Sequence, residues 1–275
     1  MTSPEESSQA SSPQAPSTFT EEWLPGPAST QFYTRTYAPA AASPRAVVLF
    51  VHGFAEYVGR YAWAHGVYAA RGIAVVAFDQ RGFGRTGMDA ARRSAGSAYC
   101  KTSFAEQLAD IEWAVRLVRA RMPGLPLFLM GHSMGGGLAL AFAARAAAPS
   151  TSTRESIALL SGVVATSPLL VQTAPVPRPV QFVARMVAKV FPMLLVPAPV
   201  DSNLLVVHGT ADKVTSYAAS QEFFSKVAVQ DKEFKSFEDG YHELVHEPSG
   251  VKEKFVDECI AWILARTSSV IPENI

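Results

Sequence analysis

The chain has 275 residues, 48% of them hydrophobic, enough to bury one large core within a single domain. Its formal net charge is +0, which excludes a strongly basic chain built around nucleic acid or another polyanion. The two cysteines, Cys100 and Cys259, show no C-x-x-C or metal-ligand spacing, so neither a disulfide framework nor a zinc site is expected and a reducing, cytoplasmic compartment is the default.

In chain order, residues 1–20 are rich in Ser, Pro, Gln and Glu and carry no basic segment followed by an apolar run, so they are expected to be a disordered tail rather than a signal peptide. Phe32–Tyr37 alternates as an edge hairpin strand does. Strands follow at Ala46–Val51, Ile73–Phe78, Leu127–Met130, Gly162–Thr166, Leu204–His208 and Lys232–Phe237, most of them too apolar to have one solvated face. Between them, helical periodicity covers Trp63–Arg71, Ser103–Arg121, Met134–Ala147, Ala218–Val227 and Val251–Arg266. Strands alternating with helices predict an α/β domain over 21–267, with a mostly parallel central sheet flanked by helices, and a short C-terminal tail at 268–275. No run approaches the roughly eighteen apolar residues of a membrane span, so any contact with lipid would be peripheral.

One segment breaks the alternation. Pro168–Asn203 is proline-rich and is expected to be an inserted cap. Within it, Val180, Val183, Val187, Val190 and Phe191 share one helical face while Gln181, Arg185 and Lys189 recur on the other, bracketed by Pro179 and Pro192. This short basic amphipathic helix, Val180 to Phe191, could dock on a membrane or lipid-droplet surface or pack over a pocket; the sequence leaves both open.

The strongest chemical signal is Gly131-His132-Ser133-Met134-Gly135, a G-x-S-x-G between the apolar run LFLM and a helix former. A serine on so tight a strand-to-helix turn has strained backbone, and a Cβ at either glycine would strike the neighbouring elements. The helix start beyond it offers unpaired N–H groups to a developing oxyanion. A serine hydroxyl needs a base, and the order Ser, acid, His of the α/β-hydrolase arrangement leaves His242 and His246, the two of the six histidines that follow the last strand. His242, in the glycine-bearing loop EDGYHE, is the candidate, and His246 reads as a surface residue. Asp212, four residues past His208 in LLVVHGTADKV, is the candidate acid. Asp79 precedes the serine and is expected to tie down its own loop, and Asp201 lies in the cap before the strand. The backbone N–H groups of Met134 and of Phe54, in the turn His52-Gly53-Phe54 after a strand, are the candidate oxyanion donors.

With FVHGFAEYVGRY at 50–61, FDQRGFGRTG at 78–87, GHSMGG at 131–136, LLVVHGTADKVTS at 204–216 and DGYHE at 239–243, the chain resembles the monoglyceride lipase group of α/β hydrolases, serine aminopeptidase S33-like, and its fungal members most closely. The resemblance runs from about Glu21 to Arg266. It implies a triad of Ser133, Asp212 and His242, oxyanion donors at Phe54 and Met134, and hydrolysis of monoacylglycerols or related fatty-acid esters with no cofactor and no metal. The chain departs from the group in its cap, which drops almost directly from the amphipathic helix into LLVVHG. Acyl transfer to an alcohol by the same triad, and a hydrolase-fold binding protein that has lost turnover, remain alternatives.

Overall fold

The structure is a computed structural model, and it describes residues 18–40, 42–147, 149–173 and 202–267. Residues 1–17 of the expected N-terminal tail, the expected C-terminal tail and the expected cap helix therefore lie outside the described residues, as does Asp201.

The described residues form an eight-stranded sheet. Its strands are β1 Phe19–Pro25, β2 Gln31–Tyr37, β3 Ala46–Val51, β4 Ile73–Phe78, β5 Leu127–His132, β6 Leu160–Thr166, β7 Asn203–Gly209 and β8 Lys232–Phe237. The order across the sheet is β1-β2-β4-β3-β5-β6-β7-β8. β1 and β2 are antiparallel to their neighbours and the rest are parallel. The α/β-hydrolase fold expected from the sequence is the fold observed.

Helices α1 Ala62–Ala70, α2 Gly84–Met88, α3 Phe104–Arg121, α4 Met134–Ala143, α5 Thr151–Ala158, α6 Tyr217–Lys226 and α7 Val251–Ala265 connect the strands. Alternation along β3 shows how the core divides. Val47, Leu49 and Val51 join the cluster that takes in Leu108, Ile111 and Val115 of α3 and Leu138 and Leu140 of α4. Ala46, Val48 and Phe50 join the cluster on the opposite face, with Ala64 and Tyr68 of α1 and Phe255, Cys259 and Ile263 of α7. Both faces are covered, which explains why these strands read as continuous apolar runs rather than alternating ones.

Three expectations are corrected. Phe19 and Thr20, assigned by composition to the tail, are the first residues of β1, which pairs with β2 from Phe19↔Tyr37 to Pro25↔Gln31. Consequently β1 is the edge strand, and Phe32–Tyr37 belongs to a strand lying between β1 and β4. The helix expected over Met134–Ala147 is α-helical only to Ala143 and continues as a 3-10 turn through Ala147. α5 was not expected at all: it is a polar stretch, Thr151–Ala158, started by Ser150, whose side chain accepts the Thr153 amide. No helix among the described residues is long and apolar enough to cross a membrane.

Candidate active site

Every candidate site residue follows the C-terminal end of a strand, where open α/β sheets place their ligands. Ser133 follows β5 directly and precedes α4, with φ 54° and ψ −118°. That positive φ in a non-glycine residue is the strain expected of the turn. The flanking glycines make it possible. A Cβ on Gly131 would lie 2.1 Å from the Gly135 carbonyl oxygen, and one on Gly135 would lie 2.1 Å from that of Val51. The Ser133 amide donates to Thr166 O at 2.9 Å, and its carbonyl accepts the Leu169 amide at 2.9 Å, so the loop after β6 clasps the turn.

The loops after β7 and β8 are stitched to each other by backbone. Thr210 N–H donates to Phe237 O at 2.9 Å, and Ala211 N–H donates to Gly240 O at 3.0 Å. Asp212 and His242 ride on these two loops. His242 Nδ1 stands 2.8 Å from Asp212 Oδ2, and its Nε2 stands 2.9 Å from Ser133 Oγ. Since a carboxylate only accepts, Nδ1 carries the hydrogen and Nε2 of the neutral ring is free to accept the serine proton. Burial works to raise the Asp212 carboxyl, but hydrogen bonds from His208, His242 and the Thr215 amide outweigh it and hold the group far below the usual carboxylate range. It is therefore charged at any working pH.

The candidate oxyanion donors come together because β3 ends against the start of α4. The same Cβ imagined on Gly135 would lie 2.5 Å from His52 O, so the turn carrying Phe54 abuts the turn carrying Met134. Met134 is the first residue of α4, where amides have no acceptor within the helix. Phe54 is held from behind: the Gly53 amide donates to Glu56 Oε2 at 2.8 Å, and the same oxygen accepts the Tyr61 hydroxyl at 2.5 Å. Glu56 was not singled out from the sequence, although a carboxylate three residues past Gly53 is a recognisable turn anchor.

The remaining candidates fall as follows. Asp79 ties its loop, accepting the amides of Val58 at 2.8 Å and Arg85 at 2.6 Å, as expected. His246 lies at the surface with its ring 5.7 Å from that of Tyr61. His132 is buried with its ring centre 4.9 Å from that of His242, and burial pushes its pKa down to about 3. It stays neutral and does not compete for the proton. Beneath His242, a cavity of about 20 Å³ lined by Tyr61, His65, Tyr68, Met130 and His132 has space for a water-sized group and none for an acyl chain.

A mostly parallel sheet with a strained serine after β5, an aspartate after β7 and a histidine after β8, joined at hydrogen-bond distance, defines a serine hydrolase of the α/β-hydrolase fold. The chain belongs to the Hydrolase_4 family (Serine aminopeptidase, S33), which matches residues 42–206 and 198–249. It is 28% identical over 263 residues to the monoacylglycerol lipase of Mycolicibacterium smegmatis, covering 81% of this chain and 89% of that one. With human monoglyceride lipase it shares 24% identity over 316 residues, covering 97% of each. Among solved structures, a soluble variant of the Saccharomyces cerevisiae monoglyceride lipase in complex with a substrate analog superposes with a TM-score of 0.71 at 20% identity, covering 96% of this chain and 98% of that one. That likeness shows the shared fold.

Proposed function

We propose that the protein cleaves monoacylglycerols or related fatty-acid esters to fatty acid and alcohol through an acyl-enzyme on Ser133. The observation that carries this reading is the unbroken chain Ser133 Oγ to His242 Nε2 to His242 Nδ1 to Asp212 Oδ2, with contacts of 2.9 and 2.8 Å. His242 takes the hydroxyl proton as Ser133 Oγ bonds to the ester carbonyl carbon. The carbonyl oxygen becomes an oxyanion facing the amides of Phe54 and Met134. Collapse breaks the bond to the alcohol, which leaves with the proton from His242. Water, deprotonated in turn by His242, then attacks the acyl carbon; the bond to Ser133 Oγ breaks, the oxygen takes the proton back from His242, and the fatty acid is released. Asp212 keeps the imidazole in the required tautomer and balances the imidazolium.

The relatives' activities on monoglycerides support the substrate class. Two features of the sequence extend the reading: two cysteines without disulfide or metal-ligand spacing, and the segment Val180 to Phe191, whose periodicity sets Arg185 and Lys189 opposite an apolar stripe. They support a cytoplasmic enzyme that meets its substrate by peripheral contact with a membrane or lipid-droplet surface. Monoacylglycerols of graded acyl length, assayed for fatty acid released, test the substrate assignment. The chain is expected to release fatty acid from at least the medium or long members, and Ser133→Ala from none. Turnover of short acetate esters only would overturn the lipid assignment. The contact is tested by Arg185→Glu with Lys189→Glu, expected to weaken sedimentation with anionic vesicles; unchanged sedimentation would remove it.

A further inference from the structure

Asp212 receives more donors than an acid needs to orient one imidazole. Its Oδ1 accepts the amides of Val214 at 2.7 Å and Thr215 at 2.9 Å. Its Oδ2 accepts His242 Nδ1 at 2.8 Å and His208 Nε2 at 3.0 Å, and lies 2.8 Å from the Thr215 hydroxyl, whose single hydrogen it shares with the Ser167 carbonyl at 3.1 Å. Two imidazoles therefore share one carboxylate oxygen. His208, on β7, is fully buried, as are Thr215 and Ser220 on either side of it.

The protonation of His208 follows from its partners. A carboxylate oxygen offers no hydrogen, so Nε2 of His208 must donate. In the neutral ring Nδ1 then keeps its lone pair, and it stands 2.9 Å from Ser220 Oγ on α6. With the tautomer fixed by the carboxylate, that hydroxyl donates to Nδ1 and holds the far side of the ring. The arrangement extends the triad backwards, from Asp212 through His208 to Ser220, with no member open to water.

We propose that His208 is a positioning residue for the triad: by donating Nε2–H to the Asp212 oxygen that also holds His242, with Ser220 anchoring its far nitrogen, it sets the direction and the charge distribution of the carboxylate that orients the base. The inference rests on the serine hydrolase reading above. Its physical content is that donors shared by one oxygen divide its charge. With His208 present, Asp212 stays ionised and its pull on the imidazolium is moderated. Without that donor, more of the carboxylate charge falls on His242, so the imidazolium loses its proton less readily and activity fades at a higher pH. The carboxylate also loses its restraint on the side away from His242, which loosens the imidazole relative to Ser133. Substrate binding is untouched, because His208 is 0% exposed.

The groups facing His242 must stay constant for this to be read. They are Asp212 and Thr215 on the loop after β7, and His132 on the serine turn with its ring centre 4.9 Å away. Around the rim stand Glu243 with its partner Arg60, and beyond them Glu56 and His246. None of these changes in the variants below.

The test compares kcat, KM and the acid limb of kcat/KM for the full chain and three variants, using the ester the wild type cleaves best and circular dichroism to check folding. His208→Phe keeps the ring and removes the donor; it is expected to lower kcat on the order of tenfold, the worth of a hydrogen bond to a charged group, with KM within about twofold. Its acid limb is expected to move to higher pH. His208→Gln, whose amide N–H restores a donor, is expected to recover most of the loss and return the limb. Ser220→Ala leaves Nδ1 of His208 without its donor and the ring less firmly held, and is expected to fall between, which keeps the test open if His208→Phe does not fold. Rates and pH profiles of the folded variants that superpose on an active wild type would overturn the inference alone. A wild type that cleaves no ester would overturn the hydrolase reading, and the inference with it.

Discussion

His65 sits in a cage of aromatic rings, with centroids 5.2 Å from Tyr37, 4.8 Å from Phe50 and 5.8 Å from Tyr61. Burial pushes its pKa from the ordinary 6.5 down to about 3, with Arg35 adding in the same direction. The folded protein therefore refuses a proton that the unfolded chain accepts. The stability this residue contributes is complete above about pH 6.5 and is lost progressively as pH falls toward 3. His65→Phe keeps the ring stack and removes the titration. Denaturant melts at pH 7 and pH 5 are expected to show the wild type losing about 2 kcal/mol more than the variant over that interval. Equal losses would show that His65 takes up its proton without cost in the fold. At this scale the sequence separated the residues well where chemistry is local. Ser133 lies in a motif, and the order of acid and histidine along the chain narrowed the rest to Asp212 and His242. His208 and Thr215 were visible only as members of a strand end and a turn. Their bonds to Asp212 arise from a loop that brings residues 212 and 215 back against the buried end of β7, and Ser220 on another element holds the far side of His208, which no local spacing records.

Burial made some elements easy to place, while β8, Lys232–Phe237, was placed to the residue although most of it is half-exposed. β3 and β4 were placed to the residue because all their positions are buried. β1 escaped because it is an edge strand with a mostly half-exposed or exposed pattern, and α5 because its run TSTRESIA has little apolar periodicity. The start of α3 was read one residue early because Ser103 is its cap. The Ser103 hydroxyl donates to Glu106 Oε2 at 2.8 Å and accepts the Glu106 amide at 3.3 Å, a reciprocal box that satisfies an otherwise unpaired donor. Ser103→Ala is expected to cost about 1 kcal/mol in a urea melt while leaving ester turnover unchanged. A cost below a few tenths would show that packing of Leu108, Ile111 and Val115 holds the helix without its cap.

Across the whole molecule, the sheet order converts residues far apart in sequence into neighbours. β3, β5, β6, β7 and β8 lie side by side, so the turns after them form one continuous rim. Phe54, Ser133, Asp212 and His242 lie along that rim, after β3, β5, β7 and β8. The family match comes in two pieces that meet at 198–206, at the end of the segment read as a reduced cap. We conclude that this rim activates Ser133. Labelling with a fluorophosphonate, followed by mass spectrometry of the adduct, checks that activation at the nucleophile itself. A single adduct is expected on Ser133 in the wild type, and none in Ser133→Ala. A folded wild type that takes up no label, or carries it on another residue, would contradict it.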